Sequence, residues 1–276
     1  MSQHLGEKRT FFISSESNNP NFVDGTASNF NYRLELPQPN NFNSVVVLQA
    51  TIPKTYYQIT ADTGNFTLTE GKDSVTVSLD AGYYSKRSLS TILPTKLNDA
   101  SPNGWTYSVS YPNSSTAVDT EKYTFTVSGN SSQPSFTFGK KTEFAHELMG
   151  FNAQSTYDFT ADSLTSANVV NFQPTTAILL KSDLVNNHDG VLQEIFSGSD
   201  RFMTDIRYQA TNIPFNSKPI GSNTSNVYHF TITDTEGNEI NTNGNSIHFS
   251  LCFYQRDDHN EHSRRFLALQ ALKEAK

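Results

Sequence analysis

Ile247, Phe249, Leu251 and Phe253 put an apolar side chain at every second position, with His248, Ser250 and Cys252 between them. A β-strand sends successive side chains to opposite faces, so a period of two marks a strand with one face in a core. The same period runs through most of the chain. Phe30, Tyr32, Leu34 and Leu36 alternate with polar residues until Pro37 and Pro39. Trp105, Tyr107, Val109 and Tyr111 repeat it, as do Tyr123, Phe125 and Val127, and then Tyr228, Phe230 and Ile232. Val45-Val46-Val47-Leu48 is a continuous apolar run, the pattern of a strand buried on both faces. Phe66 and Leu68 face Val75 and Val77 across Glu70-Gly71-Lys72-Asp73, which predicts a hairpin. Short strands are also expected at Phe136–Phe138 and Ala177–Leu180. Many short strands separated by turns predict an all-β protein: an antiparallel sandwich, specifically a jelly roll, and not a βα alternation.

Three segments have helical spacing. Leu89, Ile92, Leu93 and Leu97 form a stripe from Ser88, with Pro94 expected to kink or split it. Thr142 is placed to cap a short helix carrying Phe144 and Leu148 and stopped by Gly150. The tail from about Asp258 to Lys276 opens on Asp258 and Glu261, spaced like a capping box. Pro112 to Thr120 and Asn216 to Asn226 read as long loops. The expected organisation is an N-terminal arm at 1–24, one jelly-roll domain at 25–255 and a C-terminal helical tail at 256–276.

The chain has 276 residues, a length at which an all-β sandwich can remain one domain. Folding at this size buries roughly three quarters of the unfolded surface, so no disulfide or metal staple is required. Its single cysteine, Cys252, points to a reducing compartment or to assembly inside a cell. Residues 1–10 lack an apolar stretch, so a signal peptide is not expected, and no stretch approaches the roughly 20 apolar residues of a membrane span. A net charge of −7 argues against a generally basic nucleic-acid surface. Charged residues are 17% of the chain while Phe and Tyr number 20 and 12. That balance suits strands with uncharged polar loops, and surfaces covered by neighbours.

No catalytic motif rises above this background. Gly139-Lys140-Lys141-Thr142 lacks the earlier glycine and the hydroxyl directly after Gly-Lys that a phosphate loop needs. Asp257, Asp258, His259, Glu261 and His262 are the densest set of metal ligands, but a solvated helix start explains them. Asp234, Glu236, Asn238 and Glu239 are read as a hairpin turn and not a calcium loop. Trp105 and the alternating tyrosines are expected in the core and not stacked on sugars. Cys252 reads as a small strand residue and not a nucleophile. The expectation is therefore no enzyme, no catalytic residue, no metal and no cofactor.

The order of local patterns resembles the penton proteins of double-jelly-roll DNA viruses, the single-jelly-roll minor capsid proteins of virophages, polinton-like viruses and their larger relatives. The stretches that carry it are Ser28-Asn29-Phe30-Asn31-Tyr32, Ala50-Thr51-Ile52-Pro53 with Tyr56-Tyr57, and Ala81-Gly82-Tyr83-Tyr84-Ser85 before a helix ending Leu97-Asn98. Tyr123-Thr124-Phe125-Thr126, Leu148-Met149-Gly150-Phe151, Lys181-Ser182-Asp183-Leu184 and Phe230-Thr231-Ile232-Thr233-Asp234 follow. The resemblance implies a homopentamer at icosahedral five-fold vertices of a virion. It would contact the major capsid protein and be assembled in the host cytoplasm or a virus factory. A trimeric receptor-binding or fibre-head jelly roll, and a carbohydrate-binding module or glycosidase, are the alternatives from other classes.

Two sets of residues follow from this reading. Phe30, Tyr32, Leu34, Phe249, Leu251 and Phe253 are core candidates. Phe11, Phe12 and Phe22 in the N-terminal arm, with Phe266, Leu267, Leu269 and Leu272 in the tail, are candidates for docking on neighbours. Arg264, Arg265, Lys273 and Lys276 make the tail locally basic, which extends the partner list to packaged DNA or an inner membrane. A tail folded back on its own sandwich is the competing arrangement.

Overall fold

In a computed structural model, residues 8–36, 42–111, 120–141, 143–173, 175–186, 189–198, 201–221 and 226–255 are described. They form seventeen strands and three helices. In chain order the first strands are β1 Lys8–Ser14, β2 Phe22–Gly25, β3 Asn29–Arg33, β4 Ser44–Pro53, β5 Asn65–Glu70 and β6 Asp73–Ser78. Helix α1 Lys86–Ala100 follows, then β7 Thr106–Ser110, β8 Thr124–Ser128, β9 Pro134–Thr137 and α2 Ala145–Met149. Next are β10 Thr156–Asp158, β11 Ser163–Thr165, β12 Ala177–Ser182, β13 Val191–Phe196 and β14 Asp205–Gln209. The last elements are α3 Ile213–Asn216, β15 Lys218–Pro219, β16 Val227–Thr233 and β17 His248–Tyr254.

The strands fall into two compact units, 1–56 with 175–276, and 57–174. The single domain expected over 25–255 is therefore divided, with the second unit inserted in the chain between β4 and β12. Period-two alternation reports local pairing and is identical in both units, which is why it did not reveal the division.

The first unit is a jelly roll. Sheet A has the order β1-β17-β4-β14, with β15 also pairing β4, and sheet B has the order β13-β12-β16-β3-β2. Apart from the short β2 and β15, the unit has eight strands. Numbered one to eight along the chain, they give sheet orders 1-8-3-6 and 2-7-4-5, the two-Greek-key arrangement of a jelly roll. The cause lies in the inward residues. Phe249, Leu251 and Phe253 of β17 and Val45, Val47 and Ile52 of β4 meet Phe30 and Tyr32 of β3 and Phe230 and Ile232 of β16, with Leu34 just after β3, in one buried cluster. Phe230 packs edge-on against Phe249 with centroids 5.3 Å apart. All six core candidates lie in this cluster.

The proposed N-terminal arm is different in part. β1 pairs with β17 along its whole length, from Lys8 opposite Tyr254 to Ser14 opposite His248. β2 pairs with β3. Phe11 and Phe22 pack against the core, with Phe11 edge-on to Phe253 at 5.4 Å. Backbone hydrogen bonding to an otherwise open sheet edge draws this segment into the sandwich. β15 likewise lies in a stretch read as loop. The C-terminal tail, with Phe266, Leu267, Leu269 and Leu272, lies outside the described residues.

The second unit holds two smaller antiparallel sheets, β10-β9-β5-β6 and β11-β8-β7. The β5–β6 hairpin pairs Phe66 with Val77 and Leu68 with Val75, and Gly71 takes φ +63° at its turn, where a side chain would be strained. Phe136 is the hub of its core, with ring centroids 5.2 Å from both Phe125 and Phe159 and 5.5 Å from Phe66. Helix α1 is capped by Ser85, which forms a capping box with Ser88, and it continues through Pro94 without the expected break. Leu89, Leu93 and Leu97 are all fully buried; burying three leucines outweighs the roughly 3 kcal/mol that an interior proline costs. Helix α2 begins at Ala145 with Phe144 at its N-cap position and ends at Gly150 in the left-handed conformation. Thr142 lies outside the described residues. The ends of this unit are tied by the buried Gln58 side chain, which donates to the Phe172 carbonyl at 2.5 Å and accepts from the Tyr84 N–H at 2.7 Å.

A buried carboxylate fixes the path from α1 to β7. Glu70 is 1% exposed. Its Oε1 accepts from the Ser101 hydroxyl at 2.7 Å and the Tyr107 hydroxyl at 2.9 Å, and its Oε2 from the Asn103 N–H at 3.0 Å. Three donors offset the cost of burying the group. Burial, then the hydrogen bond to Glu70 and its charge, hold the Tyr107 hydroxyl well above its ordinary value. Burial, with a smaller contribution from Tyr111, does the same for Tyr123.

Three outcomes are expected. Phe249→Ala should lower the unfolding free energy by about 3–5 kcal/mol, measured by denaturant titration. Glu70→Gln turns an amide donor toward the Asn103 N–H and should cost about 1–3 kcal/mol. Tyr107 and Tyr123 stay protonated when folded but ionise near pH 10 when unfolded, so the unfolded state binds fewer protons above that pH. Stability should be intact below pH of about 10 and fall as pH rises beyond it; Tyr107→Phe should flatten the fall.

Candidate assembly surfaces

The jelly-roll unit leaves large apolar side chains in water. Phe12, Phe196, Met203 and Phe215 are 74%, 72%, 71% and 83% exposed, and Val23 is exposed as well. Their positions follow from the strand pattern. Phe12 lies between the inward Phe11 and Ile13 on β1, so it points out of sheet A. Phe196 follows the buried Ile195 on β13 and points out of sheet B. Sequence reading selected Phe12 and made no assignment at Phe196, because Gln193 and Glu194 interrupt the alternation along β13.

Phe12 and Val23, on edge strands β1 and β2, and Phe196, on edge strand β13, sit on opposite lateral edges of the sandwich. On one edge the Tyr32 hydroxyl of β3 donates to the Phe12 carbonyl of β1 at 3.3 Å, and β2 with Val23 pairs beside β3. On the other edge the Tyr208 hydroxyl of β14 donates to Gln193 of β13 at 2.9 Å, and Phe196 ends that strand. Beside Phe12, a concavity of about 360 Å³ is lined by Ser14, Asn19, Gln49, Thr51 and His248. His248 Nε2 lies 3.9 Å from the Glu16 carboxylate at its rim.

The outer face of sheet B is polar. Asn29 Nδ2 donates to Glu239 at 2.7 Å, while its Oδ1 is 2.6 Å from His229 Nε2. Asp183 accepts from the His229 N–H at 2.9 Å, and Asp24 accepts from Asn31 at 2.6 Å. These groups satisfy one another.

The sequence candidates for chemistry are placed as follows. Asp234 Oδ1 accepts from the Glu236 and Asn238 N–H groups at 2.9 and 2.8 Å, which closes the turn after β16. Asp257, Asp258, His259, Glu261 and His262 lie outside the described residues. Among the described residues no group of three or more His, Cys, Asp or Glu side chains is arranged to hold a metal. Trp105 and Tyr107 are buried in the second unit's core. Cys252 is buried, and burial pushes its thiol up, partly offset by a hydrogen bond from Thr10 and the charge of Lys8. A thiol held protonated is a poor nucleophile. Among the described residues no helix is long and apolar enough to cross a membrane.

No family model and no curated protein matches the chain. Among solved structures it is similar to the selenomethionine-labelled mavirus penton protein, with 12% identity, a TM-score of 0.49, and coverage of 90% of this chain and 99% of that one.

Proposed function

We propose that the chain is a structural capsid subunit, a pentameric penton that closes five-fold vertices of an icosahedral virion and contacts the major capsid protein. The observation that carries this reading is the pair of exposed aromatic side chains on opposite edges of one jelly roll. A ring closes by a head-to-tail contact that joins two different surfaces of the same subunit. Phe12 with its adjoining concavity supplies one such surface and Phe196 the other. Large aromatic anchors with few charges are what the centre of an interface requires. A subunit of this kind needs no catalytic group. Host cytoplasm or a virus factory is the proposed site of assembly.

The test is the native mass of the assembled protein against its 30.8 kDa protomer. Five protomers are expected; three would favour a receptor-binding trimer and one a carbohydrate module, and either would overturn the penton. Phe12→Asp and Phe196→Asp should each abolish ring closure while leaving the fold intact. Mixed together they should give a dimer and no ring, because one intact contact then remains. Recovery of a ring from the mixture, or unimpaired rings from either variant, would rule out the head-to-tail contact.

A further inference from the structure

Phe12 and Phe196 each have an ionisable neighbour at a fixed spacing. Across the β1–β17 pair Phe12 is opposite Ser250, and Ser14 is opposite His248. Phe12 and His248 are therefore diagonal neighbours on one face, roughly 7–8 Å apart. On β13, Glu194 and Phe196 are both exposed and flank the buried Ile195. They share a face at a separation of two strand residues, about 6.7 Å. A ring and an imidazole on one edge thus match a ring and a carboxylate on the other.

The charges around His248 set what it can accept. From β1 it faces Ser14, while Lys8 and Arg9 lie at the far end of that strand. From β4 it faces Thr51; Ser44–Pro53 holds no charged residue, and the buried Lys54 lies just beyond it. One strand further, Arg207 of β14 is opposite Thr51, with Asp205 4.0 Å from its guanidinium. The segment after β1 supplies the uncharged Asn19 and the Glu16 carboxylate, 3.9 Å from His248 Nε2. Glu194 itself faces Leu179 of β12, a strand whose one charged residue is Lys181. The His248 and Glu16 side chains are 49% and 52% exposed, so water screens them in the free subunit. With a neutral imidazole, Glu16 and Asp205 outnumber Arg207, and an incoming Glu194 adds a further negative charge. Covering unpaired carboxylates is costly. One proton on His248 places a cation between two of them.

We propose that Glu194 of the next subunit enters the concavity beside Phe12 and pairs there with a protonated His248, which also faces Glu16. This inference rests on the head-to-tail contact between Phe12 and Phe196 and adds its polar half: each closing contact takes up a proton. Imidazoles ordinarily gain that proton below a pH of about 6.5, so the contact is strong below this range and weakens above it. The net charge of −7 on every copy acts in the same direction, since added positive charge at the seam eases the repulsion between copies.

The test is the concentration at which the full chain forms rings, followed by analytical ultracentrifugation at pH values of about 5.5 and about 8, either side of the imidazole range. It should be about tenfold lower or more at the acid value, the least that close interfacial charge pairs contribute. His248→Gln and Glu194→Gln should each flatten this dependence. His248→Lys keeps a cation at both pH values, so it should close rings at a pH of about 8 as readily as the natural chain does at about 5.5. Both positions are exposed, so thermal melting of the variants should be unchanged. Rings that form equally well at both pH values, or a dependence undiminished in either glutamine variant, would overturn this inference and leave the head-to-tail contact standing. Absence of rings at both pH values would overturn the two together.

Discussion

Strand β17 is hydrogen-bonded to β1 on one side and to β4 on the other, and from Phe249 to Tyr254 every one of its residues is buried. A strand in that position has no polar face to spare. Its inward aromatics fix the distance to sheet B, and its backbone fixes the register of both neighbours. The register shifts between Ser250 and Leu251, where the partner on β4 steps from Gln49 to Val47. A bulge of this kind bends the strand and keeps the inward set aligned on both sides of it. Closure of the first unit depends on this strand, because it supplies inward side chains from a position between β1 and β4.

The second unit uses a different economy. Its sheets are short, so it relies on aromatic rings meeting edge to face around Phe136 and on polar ties between loops. Gln58 bridges the start and end of the unit, and Glu70 anchors the turn that follows α1. Both are buried polar groups whose oxygens accept, with Gln58 also donating to the Phe172 carbonyl, which restricts how the chain can be threaded. Most of the exposed large apolar side chains, Phe12, Phe196, Met203 and Phe215 among them, belong to the jelly roll, while the second unit exposes Tyr57 and Val169.

What the sequence determined by itself was local. Alternation identified the inward residues of β3, β16 and β17, the unbroken Val45–Leu48 run announced a strand buried on both faces, and Gly71 marked the hairpin turn. The spacing of Leu89, Ile92, Leu93 and Leu97 marked α1. These follow from periods and backbone preferences that act within a few residues. Only the tertiary structure decided what depends on distant partners. The apolar segment from Phe11 to Ile13 reads as an arm until β17 offers it an edge to pair with. Pro94 reads as a break until three buried leucines outweigh it. Phe196 carries no signal in the sequence until β13 proves to lie at the edge of sheet B. The division into two units was invisible for the same reason: a strand carries the same alternation whichever sheet it joins, and sheet membership is set by hydrogen bonds between residues as far apart as Phe11 and Leu251.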